Sequence, residues 1–360
     1  MIAAEQATIL ICAGGTGGHV FPGLAVAARL KASGARVLWL GTPQGMESRV
    51  VPDAGFEFHA VPVRGLRGKG LLRWPVTAWR ALRALASCLG LLWHVRPSTV
   101  LGMGGYVSGP AGLAAWLARR PLVVHEQNAI PGMTNRWLAR VATRVLAAFP
   151  CSFPVTVGAR VTGNPVRREI TAMAAPQPIA ADRPLHLLVM GGSLGALALN
   201  EGVPAALAQI ASDQRPQVRH QAGRGKAEMT RKNYQEHAVE AVVSEFVDDM
   251  CEVYGWADLV ICRAGALTVS ELMAAGVASV LVPFPFAVDD HQTVNARFLT
   301  EAGAAHLMPQ TELNPEKLSS LLHSLLRDRG HLHAMAQNAY RLAKRDATQS
   351  VADVCEELAA

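Results

Sequence analysis

Apolar residues along this chain fall into short β-branched runs separated by longer stretches where apolar positions return every three or four residues. The first pattern predicts strands and the second predicts helices. In the first half, strands are predicted near 7–12, 35–40, 56–61, 98–101, 121–125 and 144–148. Helices are predicted around 20–33, 45–54, 75–95, 109–119 and 131–141. In the second half, strands fall near 185–190, 217–221, 239–244, 258–262 and 278–282. Helices follow at 195–211, 247–256, 266–275 and 289–302, with three more after 314. Strand and helix in such strict alternation mean an α/β protein with parallel, doubly wound sheets. Both halves open alike. Ile9, Leu10 and Ile11 run into the glycines of 14–18, and Leu187, Leu188 and Val189 run into Gly191, Gly192, Ser193, Leu194 and Gly195. Residues 163–184, rich in Pro and polar side chains, read as the linker. The expectation is two Rossmann-like domains facing each other across a cleft, with ligands at the carboxyl ends of the strands. The domains are placed at 1–165 and 166–340, with a helix over 341–360 packing back on the first.

Length agrees, since 360 residues exceed what one hydrophobic core usually supports. Six scattered cysteines (12, 88, 151, 251, 262, 355) offer no CxxC or paired spacing. A disulfide framework and a zinc site are disfavoured, and a reducing compartment is favoured. The run 7–12 enters a glycine loop directly and reads as a first strand, not a signal peptide. No stretch reaches the roughly 20 apolar residues that span a bilayer. The chain is therefore expected to be cytoplasmic unless something holds it to a surface. Charge adds one feature. Between Glu57 and Glu126 there is no acidic residue, but nine basic ones: Arg64, Arg67, Lys69, Arg73, Arg80, Arg83, Arg96, Arg119 and Arg120. Removing those nine from 34 leaves 25 basic against 28 acidic residues elsewhere. A positive field confined to the first half points to an anionic partner there.

Glycines between strand and helix let backbone amides approach a phosphate at the positive end of the helix dipole. The plainer reading is a tight turn, and neither loop fits the dinucleotide or P-loop fingerprint. After Gly15 and Gly17 a third fingerprint glycine would fall at Val20, and no Lys-Ser/Thr pair follows. A third cluster, Gly102 to Pro110, also follows a strand. The segment Arg263 to Glu271 opens a helix with Thr268 and Ser270 as hydroxyl donors in its first turn. Glu271, one turn inside, suits a ribose diol; alternatively it simply complements the helix dipole.

Together these residues resemble one family. The motifs are Gly14 to His19, Gly104 to Pro110, His125 to Asn128, Gly163 to Arg167, Gly191 to Ser193, Ala266 to Glu271 and Asp289 to Asn295. They are similar, in order and from about residue 8 to 350, to the bacterial N-acetylglucosaminyltransferases that act on undecaprenyl-diphospho-N-acetylmuramoyl-pentapeptide and UDP-N-acetylglucosamine. The resemblance implies the glycosyltransferase B fold, with the acceptor on the first domain and the UDP-sugar on the second. It implies that Val247 backbone holds the uracil and Glu271 the ribose. Ser193 and the helix start Ala266, Leu267, Thr268, Val269 and Ser270 would hold the diphosphate. Gln292 would bind the sugar hydroxyls, with Asn128 reaching from the other domain and Arg167 approaching the nucleotide. Thr16, Gly17 and Gly18 would pass close to sugar and acceptor, and Gly104, Gly105, Tyr106 and Ser108 would form the acceptor loop. It further implies a peripheral protein on the cytoplasmic face of the inner membrane, and leaves room for partners among cell-wall synthesis proteins. One departure stands out: Pro285, Phe286, Ala287 and Val288 replace a shorter polar stretch before Asp289.

The chemistry implied is inverting transfer to the muramoyl 4-hydroxyl, giving a β-1,4 link. A sugar hydroxyl needs a base beside it, and the departing diphosphate needs stabilisation. The sequence has no Asp-x-Asp, so helix starts and Arg167 would supply the positive potential with no metal and no cofactor. His19 is the candidate base, against the alternative that it only shapes its loop, and Glu126 is the second candidate. His125 is read as an orienting residue, His291 as part of the donor pocket, and the other histidines as structural.

In the basic stretch, Trp79, Leu82, Ala86, Leu89 and Trp93 recur at helical spacing and read as a core-facing stripe. Leu71, Leu72 and Trp74 precede them, beside Arg73, and are expected to enter an anionic membrane while Arg73, Arg80 and Arg83 meet its phosphates. Nucleic acid is disfavoured because no nucleic-acid motif accompanies the charge. Two alternatives stand beside the transferase: a UDP-N-acetylglucosamine epimerase, and a catalytically idle UDP-sugar-binding protein on the membrane. The first has no use for the acid-free stretch, and the second none for His19 or the loop at 104–110.

Overall fold

The computed structural model describes the backbone of residues 6–63, 74–150 and 152–359, and their side chains except at 74–78 and 288. Two units emerge: Met1–Arg167 with Lys344–Ala360, and Arg168–Ala343.

The first unit runs β1 (Thr8–Ala13), α1 (Gly17–Ala32), β2 (Arg36–Gly41), α2 (Glu47–Asp53), β3 (Glu57–Ala60), α3 (Trp74–Val95), β4 (Thr99–Gly104), α4 (Ser108–Leu117), β5 (Leu122–Glu126), α5 (Met133–Leu138), β6 (Arg144–Ala147) and β7 (Arg160–Val161). Its sheet has the order β3-β2-β1-β4-β5-β6-β7, with every pair parallel. Alternation along the strands feeds two cores. Ile9, Ile11, Trp39, Leu101 and Met103 pack on one face, while Leu10, Cys12, Leu38, Leu40 and Val100 pack on the other. That two-sided burial explains why the strands read as nearly unbroken apolar runs. Trp39 is fully buried, and its indole N–H donates to the Ala13 carbonyl at 3.0 Å, fixing the end of β1 where the first glycine loop starts. Gly23 of α1 lies flat on that indole, where a Cβ would come within 2.7 Å of the ring.

The second unit continues with α6 (Arg168–Thr171), β8 (His186–Met190), α7 (Leu197–Ala208), β9 (Gln217–Gln221), α8 (Ala227–Glu236), β10 (Val242–Ser244), α9 (Met250–Trp256), β11 (Leu259–Cys262), α10 (Ala266–Ala275), β12 (Ala278–Leu281), α11 (His291–Thr300), β13 (Ala305–Leu307), α12 (Pro315–Arg327) and α13 (Arg329–Leu342). Its sheet order is β10-β9-β8-β11-β12-β13, again all parallel. The last helix, α14 (Ala347–Glu357), belongs to the first unit. Its Val351, Ala352, Val354 and Cys355 join the core beneath α1, and Thr99 Oγ1 donates to the Cys355 carbonyl at 3.1 Å.

Three elements carry little signal in the sequence. Helix α8 buries only Ala227, Thr230 and Tyr234, so its apolar stripe is too thin to stand out. Strands β7 and β13, of two and three residues, are too short to show alternation. Helix α3 overturns one expectation. Its inward positions are the small Ala84 and Cys88 with Leu92, whereas Trp79, Leu82 and Trp93 are 58%, 65% and 70% exposed. Hydrophobicity alone turns the largest side chains inward; here the small ones face the core, and the indoles are left outside.

Candidate active site

In both sheets the strand order reverses beside the first strand of the unit, between β1 and β4 and between β8 and β11. Crossovers leave such a switch point to opposite sides, opening a crevice at the carboxyl ends. The loops singled out in the sequence lie at these ends.

In the first unit, the loop after β1 and the loop after β4 touch. Gly105 has φ of +82°, and a Cβ there would sit 2.1 Å from the Gly14 carbonyl oxygen. Both atoms of that clash belong to backbone, so no rotamer relieves it. Gly105→Ala is expected to force the loops apart and lower the melting temperature of the protein, which a thermal unfolding curve beside the parent checks. Ser108 is fully buried; its Oγ accepts from Gly104 N–H at 3.1 Å and lies 2.8 and 2.7 Å from the carbonyl oxygens of Cys12 and Gly104. It therefore staples the expected acceptor loop from beneath instead of lining it, whereas Tyr106 is exposed. A residue without a role in the sequence reading, Glu47, is also fully buried. Its carboxylate accepts from Thr42 N–H at 2.9 Å, Thr42 Oγ1 at 2.7 Å and Gly15 N–H at 3.3 Å, so that amide of the first loop is already used.

Thr16 precedes α1, which has neither a side-chain cap nor an acidic residue in its first turn. His19 stands in that turn, against Gly104, where a Cβ would come within 3.0 Å of the imidazole. Its Nδ1 is 2.9 Å from Gln127 Oε1. Gln127 Nε2 lies 3.1 Å from His125 Nδ1 and donates to the His125 carbonyl at 3.2 Å. His125 Nε2 is 2.9 Å from the Gly163 carbonyl. Burial pushes the His125 pKa down to about 4, against the pull of the Gly163 carbonyl and with a further push from His19, so the ring is neutral near pH 7.

Glu126, the second base candidate, is taken up by its own domain. Oε1 accepts from the backbone N–H of Asn128 at 2.9 Å and its Nδ2 at 3.3 Å; Oε2 accepts from Gly132 N–H at 3.1 Å and Asn135 Nδ2 at 2.9 Å. With four donors and 1% exposure, this carboxylate orders the turn after β5 and is not placed to take a proton from a substrate. Asn128 is half-buried in that turn, with Ser152 Oγ donating to its carbonyl at 2.8 Å. The Arg167 guanidinium lies 5.7 Å from the ring of Phe21, on α1.

In the second unit, Ser193 is exposed on the loop after β8. Gln221 clips that loop, accepting from Gly192 N–H at 3.0 Å and donating to the carbonyls of Gly192 at 3.0 Å and Glu245 at 2.7 Å. The bond to Glu245 ties it to the segment holding Val247, which is half-buried. Helices α7 and α10, at the switch point, start without a side-chain cap or an acidic residue in the first turn. By contrast, α9, α12 and α13 are capped by Asp249, Asn314 and Asp328. In α10 the Val269 N–H bonds to the Gly265 carbonyl, which leaves Ala266, Leu267 and Thr268 as the first-turn donors. Ser270 is buried and donates to the Ala266 carbonyl at 2.8 Å. The expected diphosphate role of Val269 and Ser270 thus narrows to the residues before them, because both spend their donors inside the helix. Glu271 is 5% exposed, with the Tyr254 hydroxyl donating to Oε2 at 3.2 Å. Gln292 Oε1 accepts from Phe284 N–H at 2.9 Å, anchoring the segment ahead of Asp289 and Asp290, which both have positive φ. Among the described residues, no three His, Cys, Asp or Glu side chains gather as a metal site.

Two Rossmann-like units, each an all-parallel sheet with bare helix starts at its switch point, are the architecture of the glycosyltransferase B fold. Residues 9–147 match the glycosyltransferase family 28 N-terminal domain and 186–354 its C-terminal domain. The chain is 53% identical over 351 residues, 97% of its length and 98% of the relative's, to the UDP-N-acetylglucosamine--N-acetylmuramyl-(pentapeptide) pyrophosphoryl-undecaprenol N-acetylglucosamine transferase of Alkalilimnicola ehrlichii. The crystal structure of Acinetobacter baumannii MurG superposes with a TM-score of 0.84 at 41% identity, covering 98% of this chain and 100% of that one. A putative UDP-N-acetylglucosamine 2-epimerase from Listeria monocytogenes, 14% identical over 96% of this chain and 95% of its own with a TM-score of 0.65, shares the fold alone. The chain belongs to the family of UDP-N-acetylglucosamine--N-acetylmuramyl-(pentapeptide) pyrophosphoryl-undecaprenol N-acetylglucosamine transferases.

Proposed function

We propose that this enzyme transfers N-acetylglucosamine from UDP-N-acetylglucosamine to the 4-hydroxyl of N-acetylmuramoyl-pentapeptide on a polyprenyl diphosphate, with inversion. The observation that carries this reading is the pair of bare helix starts at the switch point of the second unit. Three free amides on α10, the start of α7 and the exposed Ser193 offer a diphosphate hydrogen bonds and a favourable dipole, with no side-chain cap or first-turn carboxylate to compete. Glu271 takes the ribose hydroxyls, and the Val247 backbone the uracil. Gln292 keeps its Nε2 for the sugar hydroxyls, since its Oε1 holds Phe284. His19 removes the proton from the attacking hydroxyl, and Arg167 adds positive potential. Labelled UDP-N-acetylglucosamine incubated with the lipid-linked acceptor should pass its label to the lipid phase. Label confined to UDP-sugar, to an epimer or to free sugar overturns the reading.

The first unit binds the membrane. Helix α4 packs between α3 and α5, and the three present Trp79, Leu82 and Trp93, then Leu113, Trp116 and Leu117, then Met133 and Trp137 to solvent. Basic side chains accompany them: Arg83 lies over Trp79 at 5.6 Å and Arg140 over Trp137 at 4.3 Å. Scattered exposed apolar residues are ordinary, but a group of large ones among arginines suits an anionic bilayer. This extends the membrane face beyond Arg80 and Arg83. Leu71, Leu72 and Arg73, also expected there, lie outside the described residues, as does the Trp74 side chain. Among the described residues no helix is long and apolar enough to cross a membrane. Replacing Arg80 and Arg83 by Ser should cost about 2 kcal/mol of binding, roughly thirtyfold, and replacing Trp79 and Trp93 as well should abolish flotation with anionic vesicles. High salt should weaken the parent without releasing it. A fourfold variant that floats like the parent at low salt removes this face from the account.

A further inference from the structure

We infer that Gln127 is a positioning residue that fixes His19 in the tautomer able to accept a proton at Nε2. The inference rests on the proposal that His19 is the base. Chemistry alone sets the direction of each bond. The His125 carbonyl can only accept, so the Gln127 atom 3.2 Å from it is the amide nitrogen. That nitrogen also lies 3.1 Å from His125 Nδ1, which must then be the acceptor. A neutral imidazole with a bare Nδ1 carries its hydrogen on Nε2, and His125 Nε2 faces the Gly163 carbonyl at 2.9 Å, another pure acceptor. Every bond at this end agrees. Burial, which keeps His125 neutral, holds the pattern in place. With its nitrogen committed, Gln127 must turn Oε1 toward His19, and an oxygen 2.9 Å from Nδ1 requires the hydrogen there. His19 Nε2 is left with the lone pair.

The chain of contacts is a built one. Gln127 is fully buried. The backbone carbonyls of Gly163 and His125 cannot reverse their role, so the order of donors and acceptors runs one way, from fixed backbone to His19. Gly104, against the imidazole, leaves no room for a Cβ that would tilt the ring. A neutral amide also differs from a carboxylate at the same place. It selects the tautomer while stabilising the imidazolium less than a fixed anion would, so His19 gives up its proton more readily after each turnover.

The experiment compares Gln127→Ala, Gln127→Glu and His19→Ala with the parent, reading kcat/KM against pH, UDP affinity and thermal stability. Gln127→Ala should lower kcat by roughly 10–100-fold with UDP affinity unchanged, since a freed ring samples the wrong tautomer and orientation. Gln127→Glu supplies a charge beside His19, which favours the imidazolium. The acid limb of the kcat/KM profile should therefore move to higher pH. That shift reports the charge placed 2.9 Å from the His19 ring and so tests His19 as the base, whereas a kcat loss in Gln127→Ala with UDP affinity and thermal stability unchanged is the readout a merely structural Gln127 would not give. If His19→Ala loses activity while Gln127→Ala keeps the parent's kcat, the positioning role is wrong and the base stands. If His19→Ala is itself near normal, the base reading fails first. If Gln127→Ala proves too unstable to assay, Gln127→Met, which keeps the volume and removes the amide, takes its place, and a parent-like kcat in it overturns the positioning role.

Discussion

His19→Ala is expected to lower turnover by roughly 10²–10⁴-fold, the usual contribution of a positioned general base. The attacking sugar hydroxyl is barely ionised at neutral pH and must shed its proton as the new bond forms. Among the carboxylates near the loop, Glu47 and Glu126 are both buried and already hold three and four donors. Neither can replace the imidazole. Donor affinity should change little, because the elements proposed to hold UDP belong to the other unit. Measuring kcat and UDP affinity on the same preparation, with a melting curve, separates three outcomes. Lost turnover with intact affinity and folding supports the base; near-normal turnover moves the proton to solvent; a lower melting temperature alone makes His19 a loop-shaping residue.

Glu271→Ala should weaken UDP and UDP-N-acetylglucosamine together by two orders of magnitude or more. Two charge-assisted hydrogen bonds to a ribose diol are worth about 1.5–3 kcal/mol each, less what water restores. The structure adds a second cost. Tyr254 is buried and donates to Glu271, so truncation leaves its hydroxyl without that partner, at about 1–3 kcal/mol of stability. Glu271→Gln keeps an oxygen for Tyr254 but loses the charge, and should regain most of the stability while recovering only part of the affinity. Calorimetric titration with UDP checks both. Unchanged affinity in Glu271→Ala would place the ribose elsewhere.

The architecture was legible because strands buried on both faces leave unbroken runs such as Ile9 to Cys12, and because each switch point needs glycine where backbone approaches backbone, as Gly105 does Gly14. Side-chain assignments were less legible, since they depend on which neighbour arrives from a distant element. Nothing in the run His125 to Asn128 shows that Glu126 is saturated by Gly132 and Asn135, or that Gln127 reaches His19 across 108 positions. Ser270 follows a pattern of its own: a hydroxyl four residues past the helix start meets the carbonyl one turn back. The exposed indoles of α3 differ from the helical-spacing expectation for a third reason. Helical spacing shows that a stripe exists, and says nothing about whether protein or lipid covers it.

The most direct measurement is the configuration of the product. The enzyme should be given UDP-N-acetylglucosamine and the lipid-linked muramoyl acceptor, and the lipid-soluble disaccharide examined by proton NMR at the new anomeric centre. One-step displacement with His19 as base predicts a β linkage to the 4-hydroxyl, formed from the α-linked donor in step with UDP release. An α linkage would show retention and demand a different mechanism, and no lipid-linked product at all would contradict the assignment as a transferase.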